Sequence, residues 1–142
     1  MNNYETVIGL EVHCQLKTNT KVWCSCNSDY DHEKPNMSTC PICTGQPGAL
    51  PKLNEKVLDY AIKAALALEC DINSESQFDR KNYFYPDSPK NYQITQYFKP
   101  YAENGKLHIV TNSGKKSIVG IERIQIEENT KKSIHTESET LL

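Results

Sequence analysis

Four cysteines stand in two close pairs, and their spacing is typical of a metal site. Cys24 and Cys26 form a CxC pair, Cys40 and Cys43 form a CxxC pair, and thirteen residues separate the pairs. Two such pairs across a polar loop usually hold tetrahedral zinc through four thiolates. The loop has no apolar period and cannot build its own core, so a metal would fix it in place. The sequence therefore predicts structural Zn²⁺ in an insertion at about residues 22–45.

Other states of these cysteines remain open at this point. Two disulfides or free thiols are the structural alternatives, although a reducing compartment disfavours disulfides. His32, in the intervening loop, is an alternative fourth ligand. Cys14 and Cys70 lie outside the paired pattern in apolar surroundings, and both are predicted to be core residues.

Glu11 and His13 could hold a divalent cation or transfer a proton, because a carboxylate would stand beside an imidazole. They lie in residues 6–16, where apolar and polar residues alternate from Ile8 onward. Successive side chains of a strand point to opposite faces, so this stretch predicts a strand with both groups on its polar face. Gly9 would leave that face open beside Glu11. The alternative is an edge strand whose polar face is simply solvated.

A run at residues 78–93 interleaves aromatic side chains with cations. Its members are Phe78, Arg80, Lys81, Tyr83, Phe84, Tyr85, Lys90 and Tyr92. Cations neutralise phosphates and aromatic rings stack on bases, so the run suits contact with a nucleotide or with RNA. The alternative is a tyrosine-rich loop that closes one end of the core. Composition alone does not decide between them.

One helix is predicted to support these groups. Asn54 is a good N-cap for a helix that runs to about Glu69. Apolar residues recur on one side of that helix, as expected for packing on a sheet. This stripe consists of Val57, Leu58, Ala61, Ile62, Ala65 and Leu66.

The remainder predicts an antiparallel meander, so the expected fold class is α+β. The predicted strands are residues 93–98, 106–111 and 118–128, with turns at 104–105 and 112–114. Glu127 and Glu128 close the last strand. Neighbouring strand residues face opposite ways, so both glutamates could serve one site only if the strand ends or bulges there. No element is predicted in residues 129–142, which are polar and show no apolar period.

Length and charge limit the possible function classes. A chain of 142 residues is about one domain. Its 16 basic and 18 acidic residues give a net charge of −2, so gross charge does not indicate nucleic-acid binding. No signal peptide or membrane-spanning run is visible, which favours a cytoplasmic protein without a membrane partner. The charged end, without a closing element, suggests a piece of a longer protein.

Five motifs then coincide in one order. They are GLEVH at residues 9–13, CPIC at 40–43, GQPGALPKLN at 45–54, FDRKNYFYPDSPKNYQITQ at 78–96 and EE at 127–128. Together they closely resemble the N-terminal part of the B subunit in the aspartyl/glutamyl-tRNA amidotransferase family. The resemblance covers essentially the whole chain. The long aromatic run is highly specific, whereas GLEVH alone is a weak signal.

The resemblance implies a fold and a reaction. The family's catalytic domain is a cradle-shaped α+β domain related to glutamine synthetase and the guanido kinases, here with a four-cysteine zinc-knuckle insertion. The enzyme is a ligase that forms a carbon–nitrogen bond with glutamine as amido donor. It converts misacylated Glu-tRNA(Gln) or Asp-tRNA(Asn) to the cognate amide. ATP phosphorylates the side-chain carboxylate, and ammonia released in the A subunit displaces the phosphate, while the C subunit ties the two together.

The resemblance also implies site residues. The catalytic candidates are Glu11, His13, Glu127 and Glu128. Glu11 and Glu128 are the expected Mg²⁺ ligands, and His13 could take a proton from ammonia or help to hold the metal. Lys81, Tyr83 and Lys90 are the expected contacts with ATP or substrate. By similarity, Lys81 and Lys90 would lie at the substrate pocket or at the mouth of the ammonia channel.

Two departures from the family pattern matter. The family commonly has EEDAGK where this chain has Asn129 after the two glutamates, so one carboxylate is missing. Cys14 stands where valine is usual. The family also continues into further acidic catalytic residues and tRNA-binding regions, so this fragment alone is expected to be inactive. The alternative to the enzyme reading is a non-catalytic zinc-binding interaction module or an RNA-binding module.

Overall fold

The computed structural model describes residues 4–29, 34 and 36–129, together with the backbone of two short strands nearer the C-terminus. The elements are α1 (Glu55–Ala67), β1 (Asp71–Ile72), β2 (Asp79–Asn82), β3 (Tyr92–Thr95), β4 (Ala102–Val110), β5 (Lys116–Ile124), β6 (Ile134–His135) and β7 (Thr140–Leu141). One helix with antiparallel strands confirms the predicted α+β class. No helix in the described part is long and apolar enough to cross a membrane.

The strands form three separate antiparallel groups. β4 lies between β1 and β5, β2 pairs with β3, and β6 pairs with β7. The last pair corrects the prediction that residues 129–142 hold no element. The β4–β5 turn at 112–114 is confirmed: Gly114 has a φ of 79°, and the Thr111 N–H donates to the Lys115 carbonyl at 2.9 Å.

Helix α1 begins where the N-cap predicts. The Asn54 side chain accepts a hydrogen bond from the Lys56 N–H at 2.9 Å. Three small residues at four-residue spacing carry the buried face: Val57, Ala61 and Ala65. They pack with Tyr101 and Ala102, and the Tyr101 hydroxyl donates to the Ala61 carbonyl at 3.1 Å. The predicted stripe was too wide, because Leu58 and Leu66 flank this row and remain exposed.

The predicted turn at Asn104 and Gly105 is wrong, because both residues lie inside β4. Asn104 has a φ of 57°, so the strand is distorted there without reversing. A side chain at Gly105 would meet the Cys70 sulfur, and it would lie 3.0 Å from the Leu68 carbonyl oxygen. The glycine is therefore required by the close approach of the strand to the end of α1, which local sequence does not reveal.

The predicted strand at residues 6–16 is also absent from the structure, since this stretch pairs with no described strand. Ile8, Leu10 and Val12, three of the five residues on the predicted apolar face, are 78%, 83% and 87% exposed. Leu16, the last residue of that face, is partly buried and packs against the core. A strand needs a hydrogen-bonding neighbour and a surface on which to bury its apolar face.

The prediction for Cys14 was wrong as well, because Cys14 is exposed. Cys70, by contrast, is partly buried and packs against the core.

Candidate functional site

The four paired cysteines converge on one point. Their sulfur atoms all lie within 4.8 Å of one another, and all four side chains are partly buried. The Cys43 sulfur lies 3.5 Å from that of Cys24, 3.7 Å from that of Cys40 and 3.9 Å from that of Cys26. Within the described residues this is the one group of three or more side chains that could hold a metal ion.

The donor set and its spacing fit zinc. A zinc ion bound by four thiolates at about 2.3 Å requires sulfur–sulfur separations of about 3.8 Å. The three distances from Cys43 bracket that value. Cys24, Cys26, Cys40 and Cys43 are therefore a candidate zinc centre, as the spacing predicts. His32, the alternative ligand, lies outside the described residues.

The thiols of the cluster differ in acidity. Burial raises the pKa of Cys24 to about 12, and the neighbouring Cys43 adds to the effect. Burial also raises the pKa of Cys26. For Cys40 burial acts in the same direction, but hydrogen bonds from the Cys43 N–H and the Cys26 side chain outweigh it and lower the pKa to about 7. Among Cys24, Cys26 and Cys40, Cys40 is thus the thiol most readily ionised for metal binding.

Lys21 adds a positive charge beside the cluster. Its ammonium donates to the Ser38 carbonyl at 2.6 Å and to the Cys43 sulfur at 3.6 Å. Four thiolates around Zn²⁺ carry a net charge of −2, so a neighbouring ammonium stabilises the loaded centre. Lys21 was not identified from the sequence. Its partners Ser38 and Cys43 lie 17 and 22 positions further along the chain, and only the fold brings them to its side chain.

The cysteine loop is attached to the helix and to the β2–β3 hairpin. The Asn54 N–H donates to the Val22 carbonyl at 2.9 Å, and the Asn54 amide donates to the Thr20 hydroxyl at 2.9 Å. Trp23 is buried and meets Phe78 edge-on, with ring centroids 4.7 Å apart. Phe78 directly precedes β2, so the cysteine loop, at about residues 22–45, packs against the base of that hairpin.

A second constellation lies on the β2–β3 hairpin. Lys90 donates to the Glu128 carboxylate at 2.6 Å, and their side chains are 8% and 19% exposed. Both carboxylate oxygens lie 2.6 Å from the ammonium, and one of them, Oε1, also accepts from the Ile94 N–H at 2.8 Å. The Glu128 carbonyl accepts from Gln93 at 2.9 Å. Lys90 is thus held by a shielded carboxylate, which is itself anchored to β3.

Glu127 makes a parallel set of contacts. It lies 3.6 Å from the Lys81 ammonium and accepts from the Thr95 hydroxyl at 2.7 Å. β5 ends at Ile124, four residues before Glu128, rather than at the predicted residue 128. Because the strand has ended, both glutamates can turn to the same hairpin, which is the condition under which the sequence allowed them one site.

Tyr83 completes the hairpin surface. Its hydroxyl donates to the buried Asp87 at 3.3 Å, and burial followed by the Asp87 charge raises the pKa of Tyr83. Nearby, the Arg80 guanidinium stacks over the Tyr92 ring at 3.9 Å. Thr95, Gln93 and Asp87 were not singled out from sequence. Their partners lie on other parts of the chain or in a loop whose shape the residue types alone do not specify.

Glu11 and His13 form a separate pair. The His13 Nε2 lies 3.3 Å from the Glu11 carboxylate, and their side chains are 79% and 86% exposed. Glu11 contacts His13, whereas Glu128 contacts Lys90 and β3, so no contact among the described residues joins the two predicted Mg²⁺ ligands. The hairpin and its two lysine–glutamate pairs therefore form one group, and the exposed pair forms another.

The chain is similar to proteins of known family. A model of the GatB/GatE catalytic domain matches residues 6–142. The chain is 66% identical over 142 residues to the B subunit of the aspartyl/glutamyl-tRNA(Asn/Gln) amidotransferase from Fusobacterium nucleatum. It is 56% identical over 140 residues to the protein of that name from Clostridium tetani, and 56% identical over 135 residues to that from Carboxydothermus hydrogenoformans.

The matches cover nearly all of this chain but a minor part of each relative. They span 100%, 99% and 95% of the chain, and 30%, 29% and 28% of the three relatives. The resemblance carried by the five sequence motifs is thus confirmed by the family match. The chain belongs to the family of the GatB/GatE catalytic domain.

Proposed function

We propose that this chain is the N-terminal portion of the catalytic domain in the B subunit of an aminoacyl-tRNA amidotransferase. The whole protein would convert Glu-tRNA(Gln), Asp-tRNA(Asn) or both to the cognate amide, with ATP and with ammonia from glutamine. Relatives up to 66% identical bear that enzyme's name. The observation that carries the proposal is the pairing of Lys81 with Glu127 and of Lys90 with Glu128 on one hairpin.

The reaction requires cations near anionic reactants. A carboxylate is a poor electrophile, because ammonia would have to expel oxide, and phosphorylation supplies a leaving group. Bringing ATP to the carboxylate gathers negative charge that Lys81 and Lys90 can neutralise. Each ammonium is matched by a glutamate in the structure. Substrate anions would compete with those glutamates for the two lysines, and Tyr83 would supply a hydroxyl donor beside them.

Carboxylate oxygens are suitable Mg²⁺ ligands. Glu11 and Glu128 would hold the ion once the exposed segment 6–16 lies against the hairpin, since no contact among the described residues joins the two glutamates here. Bound there, it would offset phosphate charge. Glu11 is exposed, and among residues 4–29, 34 and 36–129 its carboxylate pairs with His13, so its oxygens are accessible to a cation. His13 would accept a proton from the attacking ammonia. Glu127 would keep Lys81 oriented.

The cysteine centre would have a structural role. Cys24, Cys26, Cys40 and Cys43 would bind one Zn²⁺, and all four positions are used by cysteine, which is typical of closed structural sites. Metal analysis of protein purified without added metal tests this. Removal of zinc should loosen residues 21–45 and leave α1 intact, whereas a metal-free protein with four free thiols would contradict the assignment.

The remaining features follow from the same assignment. The domain would adopt the cradle fold of the family, with the zinc loop at about 22–45 as an insertion. It would act in the cytoplasm with the A and C subunits of the enzyme and with misacylated tRNA, without a membrane partner. Glutamine hydrolysis would belong to the A subunit.

The direct test assembles the whole protein with the A and C subunits. Glu-tRNA(Gln) and Asp-tRNA(Asn) are supplied separately, and amide formation is measured with ATP, Mg²⁺ and either glutamine or ammonia. Conversion should require ATP and Mg²⁺ with both nitrogen donors, while residues 1–142 alone should be inactive. No ATP-dependent conversion of either substrate by the assembled protein would exclude the proposed function.

A further inference from the structure

The backbone of the cysteine loop lies directly against Lys90. Gly45 follows Cys43 by two residues and has a φ of 65°. A Cβ atom added to Gly45 would lie 2.5 Å from the Lys90 Cβ and 3.0 Å from the Lys90 Cα. Real side chains do not approach so closely, so this contact exists only because residue 45 has no side chain. The cysteine loop thus contacts Lys90 at the main-chain end of its side chain.

The turn that carries the CxxC pair sets the position of Gly45. The Gly45 N–H donates to the Ile42 carbonyl at 3.2 Å, and the Gln46 N–H donates to the Pro41 carbonyl at 2.9 Å. The Thr44 N–H donates back to the Cys40 carbonyl at 3.2 Å. A metal bound by Cys40 and Cys43 would fix the two ends of this turn, and Gly45 would be fixed with them.

The other end of the Lys90 side chain, its ammonium, is held by Glu128. The lysine side chain is 8% exposed, and its ammonium lies 2.6 Å from the carboxylate and 4.8 Å from the centre of the Tyr92 ring. A lysine normally keeps its ammonium in water. Burial of Lys90 therefore depends on two contacts, Gly45 at the Cα and Cβ and Glu128 at the ammonium.

We propose that Gly45 is a positioning residue through which the metal centre holds Lys90 against Glu128. Loading of the four cysteines keeps the turn closed, and the closed turn keeps the Lys90 ammonium shielded and paired. Loss of the metal loosens the turn and removes the contact at the Lys90 Cα and Cβ, so that the side chain can move and its ammonium becomes exposed. The role of Lys90 in catalysis rests on the proposed function. The coupling between metal binding and the shielding of Lys90 does not.

The base of the hairpin contacts the cysteine loop at a second point, away from Gly45. Trp23 packs on Phe78, and the Asp79 carboxylate accepts from the Tyr97 N–H at 2.7 Å. Neither contact includes Gly45 or Lys90. A change at Gly45 should therefore alter the environment of Lys90 without removing the hairpin or α1.

Amine acetylation measures this shielding. The zinc-loaded protein is treated briefly with an acylating reagent at one pH, and acetylation at each lysine is quantified by mass spectrometry. Lys81 and Lys56 are 56% and 53% exposed and serve as reference lysines. With zinc bound, Lys90 should react about tenfold more slowly than these references, because it reacts only when the structure opens locally. With zinc removed by a chelator, its rate should approach theirs.

Two glycine variants separate the contact from backbone strain. Gly45 and Gly48 both have positive φ, at 65° and 81°, but a Cβ at Gly48 would meet nothing within 4 Å. Gly45→Ala should therefore expose Lys90 even with zinc bound, whereas Gly48→Ala, with similar strain, should keep it shielded. Zinc content and the helical circular dichroism of each variant establish that it has folded.

Several outcomes overturn the proposal. Equal shielding of Lys90 with and without zinc would show that the metal does not hold it. Equal effects of Gly45→Ala and Gly48→Ala would assign the change to strain. Loss of the α1 signal on chelation would mean that zinc supports the whole domain. If Gly45→Ala does not fold, the chelation experiment on the unaltered protein still decides whether the metal shields Lys90. Metal-dependent shielding without any transamidation would refute the proposed function alone.

Discussion

Lys90 and Glu128 lie 38 residues apart in the chain, and their charged groups are 2.6 Å apart in a largely shielded contact. Replacement of one partner leaves a buried charge without compensation. We expect Lys90→Met or Glu128→Gln to lower the free energy of unfolding by about 3 kcal/mol each. The double variant should recover part of that loss, since neither charge then remains. Urea unfolding of the four proteins gives the coupling energy, and additive losses would show that the pair is not coupled.

Lys21 should control how firmly zinc is held. Lys21→Met removes both the donor to the Cys43 sulfur and the charge that offsets the thiolates. Loss of such an outer-shell contact typically weakens metal affinity about 10–100-fold. Lys21→Arg keeps the charge and should weaken zinc less. Competition with a chromophoric chelator measures the affinity, with Lys52→Met, a change at another loop lysine, as the control. Unchanged affinity in Lys21→Met would contradict this role.

Local signals account for what the sequence could predict. The α1 start follows from the Asn54 cap, and the β4–β5 turn follows from Gly114. The cysteine cluster follows from pair spacing, because two close pairs can meet across a loop of any shape. Each of these features depends on residues near one another in the chain, and a metal site adds a requirement that four side chains converge.

Non-local contacts account for the features that the sequence could not predict. Gly105 resembles a turn glycine, but its reason is the approach of β4 to Leu68 and Cys70 at the end of α1. The alternation at residues 6–16 indicates a strand, yet alternation does not supply a neighbour to pair with. Likewise, the family resemblance marked Lys81 and Glu127 as candidates, but only the end of β5 and the β2–β3 register bring them together.

Tyr101 should make the free energy of unfolding depend on pH in the alkaline range. Burial raises the pKa of Tyr101 to about 12, with Cys70 and Cys14 contributing, from an ordinary value of 10. The unfolded chain therefore loses this proton first. The contribution of Tyr101 to the free energy of unfolding is complete below pH 10 and declines as pH rises toward 12.

Tyr101→Phe isolates that effect. The variant lacks the hydrogen bond to the Ala61 carbonyl and should be about 1 kcal/mol less stable near neutral pH. Its stability should then fall less steeply than that of the unaltered protein above pH 10, because the titrating group is gone. Urea unfolding at several pH values compares the slopes. Equal slopes would mean that Tyr101 ionises alike in the folded and unfolded chains.

Glu11 and His13 stand apart from the hairpin, so their variants test whether the exposed segment takes part in the reaction. In the whole protein with its partner subunits, Glu11→Gln keeps the shape of the side chain and removes the charge expected to hold Mg²⁺. It should abolish phosphorylation of the misacylated carboxylate and leave glutamine hydrolysis in the A subunit intact. His13→Ala should slow amide formation by about 10²-fold or more if the imidazole accepts a proton from ammonia.

The same assay ranks the two glutamates of the hairpin. Glu128→Gln should be the more severe change, because Glu128 pairs with the shielded Lys90 and is an expected Mg²⁺ ligand, whereas Glu127 pairs with an exposed lysine. Single-turnover conversion of Glu-tRNA(Gln) with ammonia supplied directly measures the chemistry without the glutaminase step. Unaltered rates in both Glu11→Gln and His13→Ala would assign the segment to a solvated surface. The catalytic charge would then reside on the hairpin, where the lysines already have their carboxylate partners.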